Sequence, residues 1–502
     1  MAGAAPIEDL RPDEDEILGI LLPEVARFLG GVDGRAIDRE GLIPSALRDE
    51  LGRLGLFGLT IPAEFGGAGL SLHGACRVVA EVARFDRSIA IMLGLHAGLG
   101  TRGLVTLGAP SLRARWLPRL ASGECVAAFG ATEAEAGSAL TAVRTTGRVS
   151  GDQLVLDGEK SYVTNGGFAG IFTVLARTPG LGGERAHSIV CVPADAEGLR
   201  RGAEEDKLGI RGSSTVTISF DGVRLPLDHI LGTPGQGMEH AHALLAWGRT
   251  LMSAGCVGAA RAALDATVAH VQTRRQFGSP IADFPATRAH VAWMAERLHA
   301  MEALVRSVGR AEASGRAIEL DSTIAKVFCS EGAFEACDRA LQLHGALGFL
   351  EETGVPRMLR DTRITRIFEG ANDVLLLRIA AAALGGEADA SLARVTERSP
   401  RVGHRAELVD LERALQVAVL ETKLRWGVGA VRHQLAMQRL ARAVICRRAA
   451  RASLEPPRGD SVHAVHAAKT LVREGLEWLA RFERAEQDER DTRRLSDAVY
   501  GG

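Results

Sequence analysis

The chain has 502 residues, too many for one ordinary hydrophobic core, and its 46% hydrophobic and 24% charged residues describe globular rather than disordered protein. A net charge of −2 gives no electrostatic basis for binding nucleic acid or an anionic membrane. The seven cysteines (Cys76, Cys125, Cys191, Cys256, Cys329, Cys337 and Cys446) include no C-x-x-C pair, which argues against a disulfide framework or a zinc site, so no metal is expected.

The start of the chain, Met1 to Ile7 followed by Asp13-Glu-Asp-Glu16, lacks the basic start and apolar core of a signal peptide and the basic character of a mitochondrial presequence. No apolar run reads as long enough to span a membrane, and a cytoplasmic protein is the expectation. Residues 1–125 read mainly as helices, with segments such as Ser45–Leu54 and Leu112–Leu120 mixing apolar and charged residues at helical spacing. The pattern changes near Val126. Asp157-Gly158 lies between two β-prone runs and predicts a hairpin turn, while Ile171–Leu175, Ser188–Val192 and Thr215–Phe220 predict further short strands. A small antiparallel β-sheet domain over 126–235 follows.

Helical patterns return over 236–385, where Ala263, Leu264, Thr267, Val268 and Val271 form one apolar face. Gly385-Gly386 opens a polar linker ending near Ser399-Pro400. Beyond it, Leu408, Leu411, Leu415 and Val419 make one helical stripe, and Ala468, Val472, Leu476 and Leu479 make another after Pro456-Pro457. The fold class is therefore mainly α with a small central antiparallel β domain, extended by linker and extra helical domain over 386–502.

Two short patterns carry little. Gly98-Leu-Gly-Thr-Arg-Gly103 matches the dinucleotide-binding G-x-G-x-x-G, but it follows residues that read as helix and has no βαβ unit around it. His240 and His242 are two apart, which turns them in different directions on a helix and makes exposed or locally bonded histidines the better reading than a metal pair. No Walker motif, H-E-x-x-H or G-x-S-x-G is present.

Separated segments, taken together and in order, resemble the acyl-CoA dehydrogenase family over roughly residues 45–385. They are Phe129-Gly-Ala-Thr-Glu-Ala-Glu-Ala-Gly-Ser138, Gly158-Glu-Lys-Ser-Tyr-Val-Thr-Asn-Gly166, Asp206-Lys-Leu-Gly-Ile-Arg-Gly-Ser213 with Arg274-Arg-Gln-Phe-Gly278, and Gln342-Leu-His-Gly-Ala-Leu-Gly348 with Arg366-Ile-Phe-Glu-Gly-Ala-Asn-Asp373. A flavin needs hydroxyl and backbone donors at its polar ring edge, a flat side chain near the ring, and donors or cations at its pyrophosphate. The resemblance implies FAD as cofactor. It places Phe129, Ala131, Thr132 and Ser138 on one side of the flavin and Tyr162, Val163 and Thr164 on another. Arg274, Phe277, Gln342, Leu343, His344, Gly345 and Ala346 are implied at the pyrophosphate and adenosine across a subunit interface, with Ala371, Asn372 and Asp373 also near the cofactor. Taken singly, these are ordinary strand, turn and helix-cap residues.

By the same resemblance Glu369 is the catalytic base that removes an α-proton from an acyl-CoA thioester, a weak carbon acid that needs a positioned base and a stabilised oxygen. A carboxylate becomes basic enough when water is excluded and its pKa rises. The Glu369 amide is implied as an oxyanion donor. Ser138, Arg249, Phe368 and Gly370 are implied at the substrate, Gly370 leaving room beside the base. For Arg249 the competing reading is a helix-surface salt bridge.

The tail, with Glu421-Thr-Lys-Leu-Arg-Trp426 and Leu435–Ile445, resembles the extra C-terminal domain of the very-long-chain branch, which implies a homodimer, a preference for long-chain acyl-CoA, and electron-transfer flavoprotein as acceptor. Residues Glu387–Ser399 show no apolar face, so membrane contact is expected to be peripheral at most. The sequence departs from the family pattern at Tyr162 (usually Trp), Ala371 (usually Thr), Ala346 (often Gly) and Pro285 (often polar), and Gly94 and Ile91 are expected to set the depth of the acyl pocket. Alternatives are an acyl-carrier-protein-linked dehydrogenase or an oxidase on the same scaffold, or a catalytically weak scaffold or assembly protein.

Overall fold

The computed structural model describes residues 12–386, 404–455 and 462–500; the expected linker and the Pro456-Pro457 break lie outside them. The first layer is helical: α1 Pro12–Leu29, α2 Gly34–Glu40, α3 Ser45–Arg53, α4 Leu72–Phe85, α5 Arg87–Leu95, α6 Arg102–Leu107 and α7 Pro110–Ser122. Side-chain caps fix where these helices begin. Ser71 accepts from the Gly74 N–H ahead of α4, and Asp86 accepts from the Ile89 N–H ahead of α5. The stretch Arg87–Leu107 is, contrary to expectation, long and apolar enough to cross a membrane by length and composition, but 72% of its apolar window is buried inside the protein. That is the character of a core helix.

The dinucleotide-like glycines fall in this stretch, within a π-helical turn, His96–Gly100, and the start of α6. Their role is close packing. A Cβ on Gly98 would meet Leu251, and one on Gly100 would collide with Ala127. Beside them the His96 ring bridges layers, its Nδ1 accepting from the Ala127 N–H at 3.0 Å and its Nε2 lying 3.1 Å from the Phe57 carbonyl. Burial pushes its pKa down to about 4, so it is neutral.

Next comes one eight-stranded sheet, built from β1 Ala127–Gly130, β2 Thr146–Ser150, β3 Gln153–Thr164, β4 Ile171–Arg177, β5 His187–Pro193, β6 Leu199–Arg201, β7 Thr215–Pro226 and β8 Ile230–Leu231. The order is β6-β7-β3-β2-β4-β5-β8, with β1 paired to β4. The sheet is mostly antiparallel, as expected, but β1 and β4 run parallel, and so do β2 and β4 where they meet at Thr146 and Arg177. The predicted turn at Asp157-Gly158 is wrong. The chain reverses at Gly151-Asp152, between the paired residues Ser150 and Gln153, and β3 continues through 157–158 with a bulge. Gly158 has φ +137°, and a Cβ there would stand 2.6 Å from the Thr145 Cα, so the glycine serves the bulge.

The chain then returns to helices: α8 Gly237–Thr273, α9 Pro285–Ala313, α10 Glu319–His344, α11 Val355–Arg363 and α12 Asn372–Gly385. Pro285 is the first residue of α9, where its missing N–H has no intrahelical role. The extension follows as α13 His404–Trp426, α14 Gln434–Ser453, α15 Val462–Phe482 and α16 Ala485–Tyr500. It shares its core with the bundle: Met294 and Leu298 of α9 belong to the same buried cluster as Leu411, Met437, Leu440 and Leu471. Arg297–Glu474 at 2.8 Å and Arg448–Asp321 cross the same seam. All seven cysteines are buried free thiols.

Gly158→Ala is expected to lower stability by more than about 1 kcal/mol, because alanine strains the positive φ and meets Thr145. Urea unfolding read by circular dichroism checks this; an unchanged midpoint would remove the bulge from the account.

Candidate active site

Where the helical layer, the sheet and the bundle meet, a cavity of about 390 Å³ opens. Its wall brings together Phe129, Ala131, Thr132, Ser138, Tyr162, Thr164, Arg249, Phe368, Glu369 and Gly370 from segments far apart in sequence. Ile91 and Gly94 of α5 line it too.

The sheet side is held open by an ion pair that sequence reading missed. The Lys160 ammonium is buried between β3 and the turn after β1, 2.6 Å from Glu133 and 3.2 Å from the Ala131 carbonyl. Burial pushes its pKa down to about 8, with Glu133 opposing the fall. Glu133 also accepts from the backbone N–H groups of Arg144 and Thr145. Beyond Lys160, β3 breaks its register with β7, and the Ser161 N–H turns to the Thr132 carbonyl at 2.9 Å. Tyr162 takes φ +57° in this irregularity and is 66% exposed, leaving its ring available at the cavity rim. Val163 is different: its side chain is 1% exposed and packed in the sheet core, so the expected cofactor contact falls to its backbone.

Glu369 sits on the turn before α12, in the left-handed region at φ +55°, followed by Gly370 at φ +103°. Such a conformation strains a residue with a Cβ and persists when its surroundings over-determine it. Two buried cations do so. Arg249 of α8 donates from Nε to the Glu369 carbonyl at 3.0 Å and from Nη1 to Thr323 Oγ1 at 3.2 Å. Lys326 of α10 donates from Nζ to the Gly370 carbonyl and to Asn372 Oδ1, both at 2.7 Å. Arg249 is therefore no surface salt bridge; it touches the cavity and holds the turn. Asn372 is committed as well, its Nδ2 donating to Ser330 and Glu331, so its side chain is a strut of the turn and is not free for a cofactor. Ala371 stands at the helix N-cap without a side-chain cap, and Asp373 is exposed in the first turn.

The carboxylate itself is unusual. Its Oε2 is enclosed and has no hydrogen-bond partner. Gly248 of α8 makes the space, since a Cβ there would stand 2.8 Å from Oε2. Burial pushes the Glu369 pKa up to about 7, with Arg249 and Lys326 pulling it back. Burial likewise lowers Lys326 to about 8. No backbone or side-chain acceptor among the described residues takes the Glu369 N–H. A carboxylate poised near neutrality beside a free N–H, in a largely aliphatic cavity, can take a proton from a weak carbon acid and hold the oxygen that gains charge.

The remaining expected cofactor residues lie outside the cavity. Arg274 and Phe277 are exposed beyond the end of α8, Phe277 at 95% and φ +50°. Gln342, Leu343, His344, Gly345 and Ala346 close α10 and start the turn after it. A stacked pair, His270 on His344 at 4.3 Å, brings these two helix ends side by side. The two groups thus share one neighbourhood away from the cavity, whose rim offers the hydroxyls of Thr132, Ser138, Ser161 and Thr164 next to Phe129 and Tyr162. A flavin fits that rim: hydrogen-bonding groups lie beside flat apolar surfaces, next to an unpartnered carboxylate.

Because ionised Glu369 is disfavoured by burial, Glu369→Gln is expected to raise thermal stability at and above pH 7 and to match the parent near pH 4. The sign follows from the raised pKa: between about pH 4.5 and 7 the unfolded carboxyl has lost its proton while the folded one keeps it, so the parent loses stability across that window and then levels off. Melting temperatures across pH 4–8.5 read this out, and a constant offset at every pH contradicts it.

Family models of the acyl-CoA dehydrogenase N-terminal, middle and C-terminal domains match residues 32–124, 128–223 and 235–384. The mitochondrial very long-chain specific acyl-CoA dehydrogenase of Homo sapiens is 36% identical over 381 residues, 74% of this chain; the chain spans 58% of that relative's length. Probable acyl-CoA dehydrogenase FadE25 of Mycobacterium tuberculosis is 37% identical over 339 residues, covering 67% of this chain and 87% of its own. The structure of an acyl-CoA dehydrogenase complexed with FAD from Bacillus anthracis superposes with a TM-score of 0.79 at 27% identity, over 95% of this chain and 86% of that one, so the extension is shared. The chain belongs to the acyl-CoA dehydrogenase family, flavoprotein oxidoreductases that bind FAD.

Proposed function

We propose that the protein dehydrogenates an acyl-CoA thioester between its α and β carbons, with Glu369 as the base. The observation that carries this reading is the enclosed, unpartnered carboxylate whose pKa burial raises to about 7. A base of that strength is half ionised at neutral pH, and it needs no partner to be displaced before it accepts the α-proton. The free Glu369 N–H holds the thioester oxygen as charge gathers there. The chemistry that bound FAD would supply is acceptance of a hydride from the β-carbon.

The chain's other residues position and enclose. Arg249 and Lys326 fix the backbone that carries the base, and Leu99, Leu245, Leu251 and Met252 keep water from the reacting carbons. Thr132, Ser138 and Thr164 offer hydroxyls to the ring edge, and Tyr162 offers its ring. Arg274, Phe277 and the segment Gln342–Ala346 serve the pyrophosphate and adenosine of a neighbouring copy's cofactor in a homodimer. The 95% exposed Phe277 and the exposed Phe349 beyond α10 offer apolar surface for that contact. Electron-transfer flavoprotein is the acceptor.

Purified protein is expected to be yellow and to bleach without oxygen when a suitable acyl-CoA is added. Glu369→Gln should keep the colour and bind the thioester but lose turnover by several orders of magnitude, as expected for loss of an essential base (~10² to 10⁴-fold or more). Near-normal turnover in that variant moves the base elsewhere. In the parent, kcat/KM should rise with pH through about 7 and then level, since the free enzyme must carry the ionised carboxylate. Lys326→Met should lower kcat more than it raises KM and shift that rising limb to higher pH, because the cation favours the ionised base; Lys326→Arg should recover part of both. An unmoved limb would leave Lys326 a packing residue.

A further inference from the structure

The cavity has a second charged end. Arg87, the first residue of α5, is 4% exposed and lines the cavity together with Val79, Gly94, Leu251 and Gly255. Its Nε and Nη2 are enclosed without a hydrogen-bond partner. Its Nη1 rests against Gly255, 2.5 Å from where a Cβ would stand, so the absent side chain makes room for the guanidinium. Among the described residues no carboxylate forms an ion pair with it. Its neighbour Asp86 spends its own carboxylate on Arg357 at 2.7 Å and on the Ile89 N–H at 3.0 Å. What lies near the Arg87 guanidinium is the neutral Cys256 thiol, whose pKa burial raises.

An arginine stays charged at any physiological pH, and a buried charge without a counterion is strongly disfavoured. Such a group is out of place at the bottom of a pocket meant for a plain alkyl chain, where a leucine would pack better. It is well placed if the chain that enters brings the missing anion. A planar guanidinium matches a carboxylate, which accepts from two of its N–H groups at once.

Helix α8 gives the length. Gly248 marks the base, since its missing Cβ leaves space for Glu369 Oε2, and Gly255 marks Arg87 Nη1. Seven residues of helix separate them, about 10.5 Å. An extended chain advances roughly 1.2 Å per bond, so a contact distance of about 3 Å at each end leaves about 4.5 Å, and with the 2.8 and 2.5 Å offsets of the two charged atoms from these marks the span suits an acyl group of about five to nine carbons in all. Ile91, Leu251 and Met252 supply an apolar lining between the two charged ends.

We propose that Arg87 is the distal specificity determinant of the acyl site, and that the preferred substrates are medium-length acyl-CoA thioesters carrying a carboxylate at the far end. The proposal rests on Glu369 being the base at the near end. It replaces the long alkyl chain expected from sequence with a shorter, doubly functional one.

The holoenzyme is assayed without oxygen against two matched series, the mono-CoA thioesters of hexanedioic, octanedioic and decanedioic acids and the CoA thioesters of hexanoic, octanoic and decanoic acids. In the parent, kcat/KM for at least one ω-carboxyl thioester should exceed that of its alkyl counterpart by at least about tenfold. Arg87→Leu should reverse the order, with a loss of roughly a hundredfold or more on the ω-carboxyl series, as for a site whose polar group loses its partner. Arg87→Lys should keep part of the preference. Equal rates for the two series, or alkyl thioesters preferred by the parent, overturn the proposal and leave dehydrogenation by Glu369 intact. Bleaching by neither series overturns this proposal, and palmitoyl-CoA then distinguishes a long-chain dehydrogenase, which it bleaches, from failure of the dehydrogenase reading itself. The parent enzyme alone decides the matter if the leucine variant does not fold.

Discussion

Two buried cations grip one turn of backbone, and the chemistry of the site depends on what they grip. Arg249 holds the carbonyl of Glu369 and Lys326 holds the carbonyl of Gly370. Neither takes the carboxylate. Had either done so, the direct pair would hold the Glu369 pKa well below neutrality, leaving a weak base. By placing their charge on carbonyl dipoles, the cations lock a strained left-handed turn and still leave the acid group unpaired. Their charge does reach the carboxylate across space, which moderates the effect of burial and keeps the group near neutral instead of permanently protonated.

The fold supplies this arrangement by crossing three layers over one long helix. Helix α8 passes Glu369 at Gly248, contributes Arg249 in the next position, and reaches Arg87 at Gly255. Its glycines are gaps through which charged groups from other layers approach the cavity. Opposite it, the sheet presents hydroxyls on a segment tied down by Lys160 and Glu133. The sheet wall and the Glu369 turn thus use the same device, a buried lysine or arginine that fixes backbone geometry beside the cavity. Because the two devices belong to different layers, either wall can change while the other stays set.

Much of this was legible in the chain itself. The segments around Thr132, Tyr162 and Glu369 bring their residues to one cavity, and the mainly helical fold with its central sheet follows from periodicity. What stayed hidden were long-range partners. Lys326, Gly248 and Arg87 sit in plain helical patterns with no local signature, and only the packing of distant helices makes them parts of a site. The burial of a charge is not a local property. Local signals also misled where tertiary context overrode them: Asp157-Gly158 has the chemistry of a turn, yet the neighbouring strand β7 keeps pairing past it, so the glycine opens a bulge. Arg249 looked like either a substrate contact or a surface charge, and its position in fact depends on a carbonyl 120 residues away. Val163, set between two residues that do reach the cavity, alternates inward to the core, as successive strand residues must.

The common core of bundle and extension has a further meaning. Inner-face side chains of α9 pack against α14 and α15 in one buried cluster, and an ion pair ties α9 to α15. Residues in such contact do not vary independently, since a methyl gained on one side must be lost on the other. The last hundred or so residues are therefore bound to the body in heredity as well as in space: a lineage could exchange them only by rebuilding both faces together, and drift in one would leave its record in the other.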